Sequence, residues 1–136
     1  MIKNSDTVGH NTNIKLRANG ATNITIAAGA ETKRVLTKGE AIPLPVDCNI
    51  HPFMHAWILV KDDPYMVASA ADGTFEIKNV PAGKREFEFW HEQPGRLKKL
   101  KYKGGTLNQQ GRATLTIADG QTIDLGEIKV PASMLK

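Results

Sequence analysis

The sequence has a single cysteine, few aromatic residues and no long apolar run. One thiol among 136 residues excludes an intrachain disulfide framework, so Cys48 needs an explanation of its own. No apolar stretch reaches the roughly 18 residues of a membrane helix, and we therefore expect no membrane span. The net charge of +4 is modest, and it does not predict nucleic-acid binding.

The N-terminal residues MIKNSDTV also lack the apolar core of a signal peptide. Met1 nevertheless stands only a few residues before what reads as the middle of a domain. We therefore expect that a targeting segment has been removed.

Short strand patterns recur along the chain, whereas helical periodicity is weak. Segments 11–20 and 22–31 alternate apolar and polar residues and meet turns at Gly20 and Gly29. Further strand candidates are Lys33–Leu36, Ala56–Val60, Thr74–Ile77, Arg85–Trp90, Ala113–Ile117 and Thr122–Val130. Many short strands with Gly and Pro turns are typical of an antiparallel sandwich or barrel, so we predict an all-β fold.

A composition shift near Asp62, Asp63 and Pro64 gives the only plausible domain boundary. It predicts a first segment of residues 1–62 and a second of residues 63–136. No low-complexity linker separates them, and we expect the two to pack as one body.

The most informative stretch places a thiol, an imidazole and a thioether at positions i, i+3 and i+6, as Cys48, His51 and Met54. The apolar strand Ala56–Val60 follows, and a tight loop beside a strand can turn all three donors toward one point. A blue-copper site needs two imidazoles, one thiolate and a weak axial thioether. His10 is the natural candidate for the remaining imidazole.

Both segments resemble the copper loops of the cupredoxins, in particular those of the amicyanin and plastocyanin type. The matching motifs are the Asp-x-x-x-His-Asn pattern ending in His10 and Asn11, and the Cys-x-x-His-x-x-Met loop. The resemblance implies a Greek-key β-sandwich that binds copper, cycling between Cu(I) and Cu(II). It makes His10 and His51 imidazole ligands, Cys48 the thiolate ligand and Met54 the axial ligand. Asn11 would tie the two ligand loops together.

The second half resembles a different family. Residues 72–92 contain the G-x-F-x-I-x-N-V-P-x-G hairpin of carboxypeptidase-regulatory-like and transthyretin-like β-sandwiches, and residues 118–130 resemble their last strands. Such modules generally have no active site. The combination of the two halves resembles secreted bacterial proteins, which implies a periplasmic or secreted location.

Two further histidines leave alternatives open. His55 and His91 could form a second metal site or adjust the first one. Alternatively, His55 is a rim residue and His91 is a strand-end residue bonded to Glu92, and we favour this interpretation. The copper site itself has a plain alternative, in which Cys48 and Met54 are buried structural residues and the histidines are exposed.

We predict a one-electron carrier that docks with a redox partner protein. We find no general base, nucleophile–base pair or phosphate-binding glycine loop, so we do not expect an enzyme. Two alternatives remain: a β-sandwich binding or scaffold module with a vestigial metal site, and a copper storage or delivery protein. Few residues precede His10, which leaves room for a homo-oligomer or strand exchange to complete the sheet.

Overall fold

The computed structural model describes residues 1–135. The chain divides into two compact units, Met1–Glu76 and Ile77–Lys136. This division falls later in the chain than the boundary we expected after residue 62. The packing of the two halves as one body stays a prediction.

The first unit contains six strands in two antiparallel sheets. The strands are β1 (Ile2–Lys3), β2 (His10–Ile14), β3 (Thr22–Ile26), β4 (Glu31–Thr32), β5 (Leu44–Asp47) and β6 (His55–Ile58). The main sheet has the order β3-β2-β5-β6, with β2 and β5 as its central strands, and β1 pairs with β4.

The main sheet consists of two hairpins placed side by side. Strands β2 and β3 form one hairpin, β5 and β6 form the other, and β2 lies beside β5 with Ile14 opposite Val46. Because β2 and β5 are antiparallel, the start of β2 and the end of β5 lie at the same end of the sheet. The predicted ligand segments lie at this end.

The apolar positions of these strands form the core of the first unit. Ile14, Leu16 and Leu44 are buried together. Partly buried side chains surround them, namely Ile2, Leu36, Ile42, Val46, Ile58 and Val60. Leu36 therefore packs on the core although its segment forms no strand.

The second unit has a separate core around Leu97, Leu100, Leu107 and Ala113. Its strands are β7 (Gly83–Glu88), β8 (Trp90–His91), β9 (Gly95–Arg96), β10 (Lys101–Tyr102), β11 (Gly105–Thr106) and β12 (Arg112–Ile117). The longest pairing joins β7 to β12, six residues on each strand. Two short hairpins are formed by β8 with β9 and by β10 with β11.

The all-β prediction is confirmed, because residues 1–135 contain strands and a single 3₁₀ turn at Ala132–Met134, without any α-helix. The sheets are small and unclosed, so the Greek-key sandwich stays a prediction. Three predicted strands are wrong: Lys33–Leu36, Thr74–Ile77 and Thr122–Val130 form no ladder. Within the described residues, no helix has the length and apolar character to cross a membrane.

The buried carboxylate of Glu40 connects the loop before β5 to the loop after β2. Glu40 accepts hydrogen bonds from the backbone N–H groups of Ala18 and Asn19 and from the Asn19 side chain. Burial on its own raises the pKa of Glu40, but these bonds to the ionised form outweigh it and lower the pKa below its usual value of 4.5. The ionised carboxylate therefore stabilises the folded unit.

Replacing Glu40 by Gln is expected to lower the melting temperature at neutral pH, because the bonded charge is lost. The folded-state pKa lies below the unfolded value, so the stabilisation is complete above about pH 4.5 and is lost as pH falls through the folded-state pKa. Thermal melts of both proteins should therefore converge at acidic pH. Glu31→Gln, which changes an exposed carboxylate, is the control and should melt as the original protein does.

Candidate metal centre

The strand pairing brings two distant segments to the same end of the main sheet. Asn13 lies opposite Asp47 in the β2–β5 ladder, so the residues that precede Asn13 face those that follow Asp47. His10 is the first residue of β2, and Cys48 directly follows β5. The antiparallel pairing therefore brings the segment of His10 and the segment of Cys48 to the same end of the sheet.

Three side-chain donors converge there. The Cys48 Sγ atom lies 3.8 Å from His10 Nδ1 and 3.8 Å from His51 Nδ1. The two Nδ1 atoms are 2.9 Å apart. His10, Cys48 and His51 are the only group of three or more His, Cys, Asp or Glu residues in the described chain with this closeness. The predicted meeting of these three residues is confirmed.

The size of this triangle fits a metal ion. With sides of 3.8, 3.8 and 2.9 Å, a point in its plane about 2.0 Å from each nitrogen lies about 2.1 Å from the sulfur. The distance to nitrogen matches an ordinary zinc–imidazole bond of about 2.0–2.1 Å, and the distance to sulfur is about 0.2 Å shorter than the usual zinc–thiolate bond of about 2.3 Å. The donor set of two nitrogens and one sulfur suits copper and zinc.

Asn11 connects the two ligand segments. Its side-chain oxygen accepts hydrogen bonds from the backbone N–H groups of Asn49 at 2.7 Å and Ile50 at 3.2 Å. The Cys48 thiol contacts the same oxygen at 3.5 Å. The side chain is buried, and its amide group donates to Asn23 on β3. One side chain therefore fixes the backbone that directly follows the thiol.

The loop after Cys48 is closed by its own backbone. The Cys48 N–H donates to the Met54 carbonyl at 3.1 Å, and the Met54 N–H donates to the His51 carbonyl at 2.9 Å. Met54 lines a cavity of about 500 Å³ together with His10 and Cys48. The loop closure therefore holds the Met54 backbone against Cys48 and His51, and the role of its thioether as a ligand stays a prediction.

The surroundings of the thiol favour its ionised form. Burial raises the pKa of Cys48, but hydrogen bonds from the backbone N–H groups of Asn11 and His51 lower it. The imidazole rings of His10 and His51 act in the same direction, and the net effect lowers the pKa from 9.0 to about 6. A thiolate, the form that binds metals, therefore predominates at neutral pH.

Asp6 is a site residue whose role the sequence did not reveal. Its carboxylate contacts His10 Nε2 at 2.9 Å, on the side of the ring away from Cys48. The bond to Cys48 and, next, the bond to Asp6 raise the pKa of His10 above 6.5. The sequence signal was its place as the first residue of the Asp-x-x-x-His-Asn motif, which gave it no role of its own.

His55 and His91 lie outside the three-donor group. His55 Nδ1 contacts its cross-strand neighbour Asp47 at 2.6 Å. The other oxygen of the same carboxylate pairs with Lys15. His91 belongs to the second unit, where its Nδ1 accepts a hydrogen bond from the Gln93 N–H rather than pairing with Glu92. The structure therefore gives each of them a local hydrogen-bonding partner.

Comparison with known proteins found no matching family model, no similar curated protein and no similar solved structure. The residues and their geometry therefore define the class directly. This is an all-β protein with a His-Cys-His group that is compatible with a metal centre.

Replacing Asn11 by Ala should loosen the ligand loop, because two backbone N–H groups lose their acceptor. We expect a loss of about 1–3 kcal/mol of unfolding free energy. Hydrogen exchange at the Asn49 and Ile50 amides should accelerate beyond the global change. Asn13→Ala, which removes an exposed bond to Asn49 from the same strand, is the matched control and should change stability by less than about 0.5 kcal/mol. Equal effects of the two substitutions would contradict the proposed tie.

The metal-free thiol should ionise with a midpoint near pH 6, measured by thiolate absorbance in the ultraviolet. His10→Ala should move the midpoint upward, since one of the contacts that favour the thiolate is removed. A midpoint close to the ordinary value of 9.0 in the unaltered protein would show that the rings do not act on the sulfur.

Proposed function

We propose that this chain is a type 1 copper protein of the cupredoxin class, acting as a one-electron carrier in the periplasm or outside the cell. The observation that supports this most is the convergence of His10, Cys48 and His51 from segments 38 residues apart. The side-by-side hairpins of the main sheet are compatible with a cupredoxin-like sandwich.

The donor chemistry favours copper over zinc. One thiolate and two imidazoles, with a thioether residue three positions after the second imidazole, form a donor set typical of blue-copper sites. Structural zinc sites instead take four tetrahedral donors from protein. Bound copper supplies the chemistry of reversible change between Cu(II) and Cu(I). Met54 would supply a weak thioether donor to the bound copper, and its environment would adjust the reduction potential.

The chain contributes rigidity to electron transfer. Asn11 anchors the backbone after Cys48, and the bonds between Cys48, His51 and Met54 close the loop without any metal. When the donor atoms are held in one geometry, their positions change little when the bound metal gains or loses a single electron.

The exposed edge of the loop is suited to brief docking. His51 is half-buried, and its ring lies 5.8 Å from that of Phe53, which is 84% exposed. Val8, Ile50 and Met54 are further exposed apolar side chains of the ligand segments. A small apolar surface of this kind fits a redox partner, because such encounters typically bury less than about 1,200 Å². Electrons enter and leave through the His51 ring.

The second unit is proposed to be a transthyretin-like or carboxypeptidase-regulatory-like module without catalytic function. Its support is the long β7–β12 pairing over a small apolar core. Metal binding and redox function are assigned to the first unit alone.

Addition of Cu(II) to the purified protein should produce an intense visible absorption from thiolate-to-copper charge transfer, with one copper bound per chain. Cys48→Ser should abolish the absorption, and His10→Ala should abolish or strongly shift it. Met54→Leu should keep the colour but raise the reduction potential, because a donor to Cu(II) is removed. His55→Ala is the control and should keep the colour, since His55 lies outside the three-donor group.

The same experiment separates the alternatives. A protein that binds copper without strong colour and releases it quickly to a modest chelator would be a storage or delivery protein. A protein that binds no copper, or binds it equally well after Cys48→Ser, would be a binding module with a vestigial site. Either result would contradict electron transfer.

A further inference from the structure

Strand β3 supplies none of the three convergent donors, but it contacts the residue that holds the loop of Cys48. Asn23 lies opposite Asn13 in the β2–β3 ladder, so its side chain is on the same face of the sheet as that of Asn11, two residues earlier on β2. The Asn23 side-chain oxygen accepts a hydrogen bond from the Asn11 side-chain nitrogen at 2.6 Å. Asn23 therefore reaches diagonally across the ladder to a buried side chain beside the thiol.

The Asn11 amide group is bonded at both of its ends. Its oxygen accepts hydrogen bonds from the backbone N–H groups of Asn49 and Ile50, and its nitrogen donates to Asn23. Turning the amide by half a rotation would set its NH₂ group against two N–H donors and its oxygen against the Asn23 oxygen. The acceptor on β3 thus favours the orientation in which the Asn11 oxygen faces the ligand loop.

The backbone of Asn11 makes a further contact with the site. Its N–H group donates a hydrogen bond to the Cys48 sulfur. A displacement of Asn11 would therefore change two things together, the backbone of the ligand loop and the hydrogen bonding of the sulfur. Asn23 is the residue of β3 that opposes such a displacement.

We infer that Asn23 is a positioning residue of the candidate metal centre: it holds Asn11 with the oxygen toward the Cys48 loop, and through Asn11 it fixes the backbone of that loop. The contacts that support this are present without metal, and the inference rests on the proposed function only in its copper readout. Asn23 itself is exposed, so its replacement leaves no cavity in the core and the variants are expected to fold.

A second contact between the sheet and the loop supplies the matched control. Asn13, directly opposite Asn23, donates to the side-chain oxygen of Asn49 at 3.1 Å on the surface. Asn13→Ala therefore makes the same chemical change in the same ladder pair, but it removes a bond to an exposed side chain rather than the bond to Asn11.

The first test measures side-chain and backbone amide signals in metal-free protein labelled with ¹⁵N. One Asn11 side-chain proton should be downfield and slow to exchange, and Asn23→Ala should abolish this protection. Exchange at the Ile50 backbone amide should then accelerate by about three- to tenfold beyond the global change, the factor expected for one lost hydrogen bond. Asn23→Asp should retain the protection, because a carboxylate accepts the same bond. Asn13→Ala should leave the Asn11 signals unchanged.

The second test asks whether Asn23 acts through Asn11. In an Asn11→Ala background, Asn23→Ala should cause no further acceleration at Ile50, since the residue that transmits its effect is already absent. In copper-loaded protein, Asn23→Ala should lower the reduction potential, because a weaker N–H bond to the sulfur leaves more negative charge on it and favours Cu(II).

The outcomes separate failure of the inference from failure of the proposed function. Unchanged Asn11 and Ile50 exchange in Asn23→Ala would overturn the inference even if the protein turns blue with copper. An effect that Asn23→Asp does not restore, or that persists in the Asn11→Ala background, would also overturn it. An unchanged potential in copper-loaded Asn23→Ala would leave Asn23 a structural role only. The predicted exchange pattern in a protein that binds no copper would support the positioning of the loop and contradict the copper function.

Discussion

The antiparallel pairing of β2 with β5 is the constraint on which the candidate site depends. The ladder itself is short, with Asn13 opposite Asp47 and Ile14 opposite Val46. Its register nevertheless decides which residues meet beyond its end, because a one-residue shift would turn the side chains of β2 to the other face. The buried Ile14 prevents such a shift, since it would expose an apolar side chain. Core packing and donor geometry are thus fixed by the same contact.

Asn11 extends this constraint from the ladder into the loop. The Asn11 side chain is buried, and its oxygen accepts hydrogen bonds from two backbone N–H groups of the ligand loop. An unsatisfied buried group costs more than a satisfied one contributes, so this arrangement tolerates little displacement. The thiol next to these N–H groups therefore has a defined position and a defined electrostatic environment.

The donors could be predicted from the sequence because their identity and spacing are local and chemically unusual. Cys48 and His51 stand three residues apart in one loop. Only the distant segment that supplies the second imidazole, which contains His10, had to be inferred. The wrong strands have a physical reason: the apolar residues of Lys33–Leu36 and Thr122–Val130 supply core contacts, as Leu36 and Ile128 show, without entering a ladder. Asp6 received no role from the motif, because its contact with His10 Nε2 depends on how the loop before β2 folds.

The separation of His10 from the Cys48 loop has a further consequence for folding. An ion bound by both segments would join points 38 residues apart, as a covalent crosslink does, and would reduce the freedom of the unfolded chain. Any species that binds only the folded form also shifts the folding equilibrium by mass action. Metal supply in the surrounding compartment would then determine both the occupancy of the centre and the lifetime of the folded first unit.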